Sequence, residues 1–186
     1  MPLRGVSRNV GVCAVALVLT LGGGCAMSRR SHFARADTGD RAAACVADLA
    51  ACRARCEGGD GATCNLLGVQ LELGVLGGAR PHAASIEYTR GCNADFAPSC
   101  ANLGWLVLRG RGVPADPALA MVLFQHAYDS YSHACVMGSG PSCVAAVDLL
   151  DMSDVPDADQ ERLASALLER GCELGQARAC ADRESL

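Results

Sequence analysis

The sequence predicts an all-α fold, an α/α superhelix (solenoid) of about four helix-turn-helix repeats, each stapled by a disulfide. Three observations carry this. Cys56/Cys64, Cys92/Cys100, Cys135/Cys143 and Cys172/Cys180 are each eight residues apart, and the pairs recur after 36, 43 and 37 residues, the period of a helical repeat whose single unit cannot bury its own apolar face. The apolar residues around each pair keep a helical register. Finally, 51% of the residues are hydrophobic but only 4% aromatic, so the core must be built from Ala, Leu, Val and Cys, small side chains that suit close helix packing.

The first segment, residues 1–24, reads as a signal peptide. Arg4 and Arg8 precede an apolar run from Val10 to Leu21 broken only by Gly11 and Thr20, too short for the roughly 20 residues that a spanning helix needs. Leu21-Gly22-Gly23-Gly24-Cys25 resembles a lipobox, which would make Cys25 a lipidated first residue. Ordinary cleavage after Ala26 is the other reading, since Gly24 and Ala26 are the small residues such a site needs. Residues 25–40, polar and without apolar pattern, then form a flexible tether. Residues 41–184 form the repeat domain.

Cys45 and Cys52 open that domain outside the eight-residue pattern. If Ala42 to Glu57 were one straight helix, the two would stand about 10 Å apart along its axis and could not bridge. Buried free thiols, a bridge across a broken helix and a bond to another chain all remain open. A bridged pair is favoured, because exported thiols tend to be oxidised.

Within the hairpins, the residues eight and four before each first cysteine read Ala84, Tyr88, Cys92, then Ala127, Tyr131, Cys135, then Ala164, Leu168, Cys172. That spacing is one helical face. Forward from each second cysteine, Cys64, Leu67, Leu71, then Cys100, Leu103, Val107, then Cys143, Ala146, Leu150 form a matching stripe. Both cysteines of every pair, Cys172 and Cys180 included, are therefore expected on the interior face of their helices. Turn residues lie between, as in Gly58-Gly59-Asp60-Gly61, Gly138-Ser139-Gly140-Pro141 and Gly175, with Asn93 to Pro98 serving less cleanly. Eight helices in four antiparallel pairs follow. Each bridge closes a loop worth about 2.5 kcal/mol in the chain-entropy model, so four contribute on the order of 10 kcal/mol.

Twelve cysteines suit an oxidising compartment. Removing the signal takes two of 16 basic residues and none of 20 acidic ones, leaving 14 − 20 = −6, which argues against nucleic acid as a ligand. Neither Cys-x-x-Cys nor His-Glu-x-x-His occurs, and the repeated spacing suits hairpin bridges better than metal ligands, so no metal or other cofactor is expected. His126, His133 and Cys135 are the nearest approach to a ligand set, although solvated histidines are the plainer reading. Ser139 and Ser142 are turn residues, with no Gly-x-Ser-x-Gly elbow. Trp105 is either core or the floor of a groove. The acidic run Asp151 to Asp159 reads as a loop in which Asp157 caps a helix.

Cys100-Ala101-Asn102-Leu103-Gly104, then Arg109-Gly110-Arg111-Gly112-Val113-Pro114-Ala115-Asp116, then Ala120, Phe124 and Ala127 together resemble the Sel-one-like repeat, a tetratricopeptide-related helix hairpin, in its bacterial cysteine-rich lipoprotein form. Cys64-Asn65-Leu66-Leu67-Gly68 repeats the helix motif, and Arg90-Gly91-Cys92 and Arg170-Gly171-Cys172 repeat the hairpin end. The resemblance covers roughly Ala42 to Asp182. It departs where Val147 replaces the glycine of the Leu-Gly pair and where the helix before Cys135 is longer.

The resemblance implies a scaffold in the cell envelope that binds an unknown peptide or protein, touching the membrane through a lipid anchor only. Facing periplasm or surface from the outer membrane is the expected place, with a periplasmic or secreted soluble protein as the alternative. Some cysteine-rich members are labelled penicillin-binding or β-lactamase-like. The chain has no lysine, so a Ser-x-x-Lys site is impossible here and no catalytic residue is named. A structural envelope protein without a specific ligand is the third reading.

Overall fold

The computed structural model describes residues 39–185, and within them all regular structure is helical. In chain order the helices are α1 (Gly39–Ala47), α2 (Leu49–Glu57), α3 (Gly61–Leu73), α4 (Pro81–Asn93), α5 (Ala97–Arg109), α6 (Pro117–Val136), α7 (Gly140–Leu149), α8 (Asp157–Glu173) and α9 (Ala177–Arg183), with a 3-10 turn at Leu150–Met152 after α7. The eight expected helices are α2 to α9, and α1 is added in front. The fold is an α/α superhelix of four hairpins, α2/α3, α4/α5, α6/α7 and α8/α9. The signal segment 1–24, Cys25 and all but the last two residues of 25–40 lie outside the described residues.

The extra helix exists because the chain breaks at Asp48. Its backbone is non-helical (φ −135°, ψ 83°), and its carboxylate accepts the Ala51 N–H at 2.9 Å, so it ends α1 and caps α2. The assumption of a straight helix from Ala42 to Glu57 therefore fails. With the break, Cys45 and Cys52 come to a Cα separation of 5.3 Å and are bridged.

The four hairpins share one turn. In each, the residue four after the first cysteine donates its N–H to the carbonyl just before that cysteine: Asp60 to Arg55, Phe96 to Gly91, Ser139 to Ala134 and Gln176 to Gly171, at 2.9 to 3.0 Å. This is the six-to-one bond of a Schellman end, and it requires a left-handed residue one place earlier. Gly59, Gly138 and Gly175 fill that place with positive φ, and Asp95 (φ 54°) fills it in the second hairpin. The turn brings Cys56 to 4.7 Å from Cys64 between Cα atoms, and Cys92 to 4.6 Å from Cys100. Cys135 and Cys143, and likewise Cys172 and Cys180, are also 4.6 Å apart, and all four pairs are bridged.

Both predicted stripes face inward, with one correction at the last staple. Every named residue of the forward stripe is buried, and so is every named residue of the backward stripe except Cys172. Its partner Cys180 is half-buried as well, so the expectation that both cysteines of each pair lie on interior faces fails for Cys172 and Cys180. The reason is coverage. Helix α9 has only seven residues and, among the described residues, packs only against α8 and α7, whereas α5 and α7 each lie against helices on both sides. The Cys172–Cys180 bridge is therefore partly open to solvent, and the buried member of that end is Ala179.

One large core runs from α3 to α8. Smaller clusters lie at the two ends, one around Cys45, Cys52, Cys56, Cys64, Leu66 and Leu67, the other around Val144, Leu168 and Ala179. Helices form two rows, with α2 against α4 and α6 against α8 in one, α3 against α5 and α7 against α9 in the other.

The most extensive packing joins α3 to α4 and α5 to α6, across the unstapled connections. Gly68 and Gly104 are the reason. A Cβ on Gly68 would stand 2.4 Å from the Tyr88 ring, and one on Gly104 would stand 2.8 Å from the Phe124 ring, so each glycine is a notch that an aromatic ring fills. Val147 holds the corresponding place in α7. Helix α6 has 20 residues against 13 in α4, an excess of about two turns that accounts for the longer second interval, from Cys92 to Cys135. No described helix is long and apolar enough to cross a membrane.

Candidate functional site

Three features stand out above the structural core: a buried carboxylate, a histidine beside one staple, and an outer apolar surface. The carboxylate is Glu72, in the last turn of α3 with its side chain 4% exposed. Its two oxygens accept from Tyr88 Oη at 3.0 Å and Arg111 Nη1 at 2.8 Å, so a charge on α3 is held by α4 and the α5–α6 loop. Burial, the Glu72 charge and the hydrogen bond to it push the Tyr88 phenol far above its usual range. Tyr88 is thus a fixed donor and not a base, which makes the cluster a structural joint.

The loop that supplies Arg111 is seated by Gly112, whose φ is 75° and where a Cβ would collide with the backbone nitrogen of His82. The Gly112 carbonyl lies 3.0 Å from His82 Nδ1. A second polar joint is fully internal. Asn65 Oδ1 accepts from Asn102 Nδ2 at 2.9 Å and from Ser99 Oγ at 3.4 Å, linking α3 to α5.

His126 and His133 do not come together with Cys135. His126 and His133 both lie exposed on α6, and among the described residues no cluster joins His126, His133 and Cys135. Seven residues along one helix place the two rings about 10 Å apart in axial rise. His126 instead reaches across to the second staple. Its Nδ1 lies 4.0 Å from Cys100 Sγ and its Nε2 lies 3.4 Å from Asp95 Oδ1. The two sulfurs of Cys92 and Cys100 and one His126 nitrogen all fall within 4.8 Å of one another. No spacing in the sequence marks this contact, because it joins α6 to the turn between α4 and α5.

Trp105 is half-buried on α5, edge-on to Phe124 at 4.9 Å between centroids, with the Arg109 guanidinium 4.7 Å over its ring. It belongs to the edge of the core, and its buried Nε1 has no acceptor among the described residues. Ser139 is the residue before α7, and its hydroxyl lies 2.7 Å from that of Ser142. Asp157 is the first residue of α8 and not its cap, since Pro156 occupies the capping place without a side-chain bond.

The outer apolar surface is carried by the helices that follow proline. Ile86 on α4 and Val122 on α6 are each the sixth residue of a helix that begins with proline, and both are exposed. Leu119 and Met121 are exposed beside Val122, and Val136 and Met137 at the far end of α6. No known family model matches the chain, and no curated protein is significantly similar to it.

Proposed function

We propose that the protein is an exported repeat scaffold that binds a peptide or partner protein in the bacterial cell envelope, in the manner implied by its resemblance to cysteine-rich Sel-one-like repeats. The observation that carries this reading is the exposed apolar group on α6, Leu119, Met121 and Val122, together with Ile86, exposed at the position of α4 that matches Val122. Of the nine large apolar side chains exposed among the described residues, these four lie on helices already anchored by Ala84, Tyr88, Ala120 and Phe124 on the opposite side. Exposed apolar side chains grouped on one helix, as Leu119, Met121 and Val122 are on α6, are characteristic of interaction sites.

Ten cysteines bridged in five pairs fit an oxidising compartment. A lipid on Cys25 would hold the scaffold at the outer membrane through the tether. Photo-crosslinkers placed at Val122 and at Arg162 test the binding reading in the native envelope. A reproducible adduct from Val122 that Ile86→Glu suppresses and that Arg162 does not form is the expected result. Adducts that form equally from both positions, or from neither, would remove it. Cys25→Ser, followed by fractionation, tests the anchor: the expected result is release from the membrane fraction.

A further inference from the structure

We infer that reduction of the Cys92–Cys100 disulfide opens a binding site for a thiophilic divalent cation, with Cys92, Cys100 and His126 as ligands and Asp95 orienting the histidine. The second hairpin differs from the other three in the residues around its bridge. Glu87 lies 3.3 Å from Cys56 at the first staple and is occupied by Arg90 at 2.9 Å. At the third, Gly171 packs against Cys143 and offers no side chain. Only the second has a ring nitrogen beside its sulfurs among the described residues.

The geometry suits a tetrahedral ion. Zinc–sulfur bonds of about 2.3 Å and zinc–nitrogen bonds of about 2.0 Å place ligand atoms roughly 3.5 to 3.8 Å apart, and His126 Nδ1 already stands 4.0 Å from Cys100 Sγ. Once reduced, the two sulfurs are free to part to that spacing. The other ring nitrogen, Nε2, faces the Asp95 carboxylate at 3.4 Å. This is the carboxylate–histidine–metal arrangement, in which the acid takes the Nε2–H and so leaves the Nδ1 lone pair for the metal.

Asp95 gives an independent reason. It stands where the other three hairpins use glycine, in a left-handed conformation (φ 54°) that a side chain adopts at a cost. The one hairpin that accepts this strain is the one with a histidine opposite. His126 and Asp95 have side chains 44% and 86% exposed, so an ion enters from that side and water completes its shell.

The chemistry balances with a dithiol as reductant. The dithiol gives its two hydrogens to the Cys92 and Cys100 sulfurs, which gain two electrons, and leaves as a disulfide. A zinc ion then displaces both thiol protons to solvent and accepts the Nδ1 lone pair.

The test uses the protein reduced under nitrogen by dithiol titrated to the point where Cys92 and Cys100 are open while the helical circular dichroism is retained, stripped of reductant, and given one equivalent of zinc before timed alkylation with iodoacetamide and peptide mass mapping. Cys92 and Cys100 should alkylate at least about ten-fold more slowly with zinc, the other cysteines little changed. His126→Ala should abolish the protection. Asp95→Gly, which restores the residue of the other hairpins and so preserves the turn, should weaken zinc affinity by about 10- to 100-fold. Protection that is absent, spread over all cysteines or insensitive to His126→Ala overturns the inference.

Discussion

The stretch from α3 to α6 and the stretch from α7 to α9 use the same stapled turn yet join their consecutive helices differently. In the first, glycine notches at Gly68 and Gly104 receive Tyr88 and Phe124, and the buried Glu72 ties α3 to α4 and to Arg111. In the second, Val147 closes the notch and no aromatic residue enters. There the charged link has moved to the surface, where Arg178 on α9 grips Asp148 on α7 through two bonds of 2.7 and 3.0 Å. The difference shows that a disulfide can preserve a repeat's turn after its interhelical lock has been exchanged. Stability should then be carried by packing in the first stretch and by staple and surface charge in the second.

The largest expected effect tests the ring in its notch. Phe124→Ala removes a side chain that is 1% exposed and leaves a cavity against the bare Gly104 backbone, so unfolding free energy should fall by about 3–5 kcal/mol. Denaturant unfolding of the oxidised protein measures it. A loss below about 2 kcal/mol would mean that α5 and α6 are not held by this contact.

Exchanging the notch residues sharpens the comparison next. Gly104→Val drives a branched side chain into the Phe124 ring and should cost about 2–3 kcal/mol. Val147→Gly, the reciprocal change, should also destabilise, by about 1–2 kcal/mol, since it lowers helix propensity and strips apolar contact with no ring waiting to fill the space. If Val147→Gly proves stabilising, the second stretch retains the notch geometry and the distinction fails.

How much of this was legible in the sequence follows from the range of each interaction. The stripes around each cysteine pair are local, repeat with a fixed register, and predicted the hairpins. The exposure of Cys172 and Cys180 was not legible in that register, because a stripe says which face of a helix is apolar and not whether a neighbouring helix covers it. The break at Asp48 was open to local reasoning, since an aspartate three residues before an available N–H is an ordinary cap, but the apolar and cysteine spacing around it reads as one continuous helix. The turn from Asn93 to Pro98 looked irregular because its left-handed residue is Asp95 where its counterparts are glycine. Counting three residues from each first cysteine would have marked it. His126 beside Cys100 and Phe124 against Gly104 are contacts between separate helices, and no periodicity along one helix reports them.

Surface charge gives a smaller effect. Arg178→Ala should cost less than about 1 kcal/mol, because its side chain is 56% exposed and an ion pair in water gains little. The loss should shrink further in 1 M salt, where the screening length is about 3 Å. Thermal melts at low and high salt measure both. A salt-independent loss above about 2 kcal/mol would place Arg178 in the same class as the buried joint at Glu72.

The smallest effect concerns the helix caps, which also differ between the two stretches. Asp60 caps α3, with its carboxylate accepting from the Thr63 N–H at 3.0 Å and the Thr63 hydroxyl at 2.7 Å, and with Arg55 beside it. Asp116 likewise caps α6 in the first stretch, where α4 and α5 have no side-chain cap, whereas among the described residues none of α7, α8 and α9 has one. The bonds from Thr63, with help from Arg55, hold the Asp60 carboxyl below its usual range against a smaller opposing push from burial. A group whose folded value is depressed contributes stability that is present above its unfolded pKa, near 4, and lost as pH falls through the folded value. Amide exchange at the start of α3, corrected for intrinsic rate, should therefore quicken below about pH 4. Asp60→Asn keeps a good capping residue but cannot ionise, so it should flatten that acid dependence while leaving exchange in α8 and α9 unchanged. An acid response that survives Asp60→Asn would show that another group titrates there and that the caps do not distinguish the two stretches.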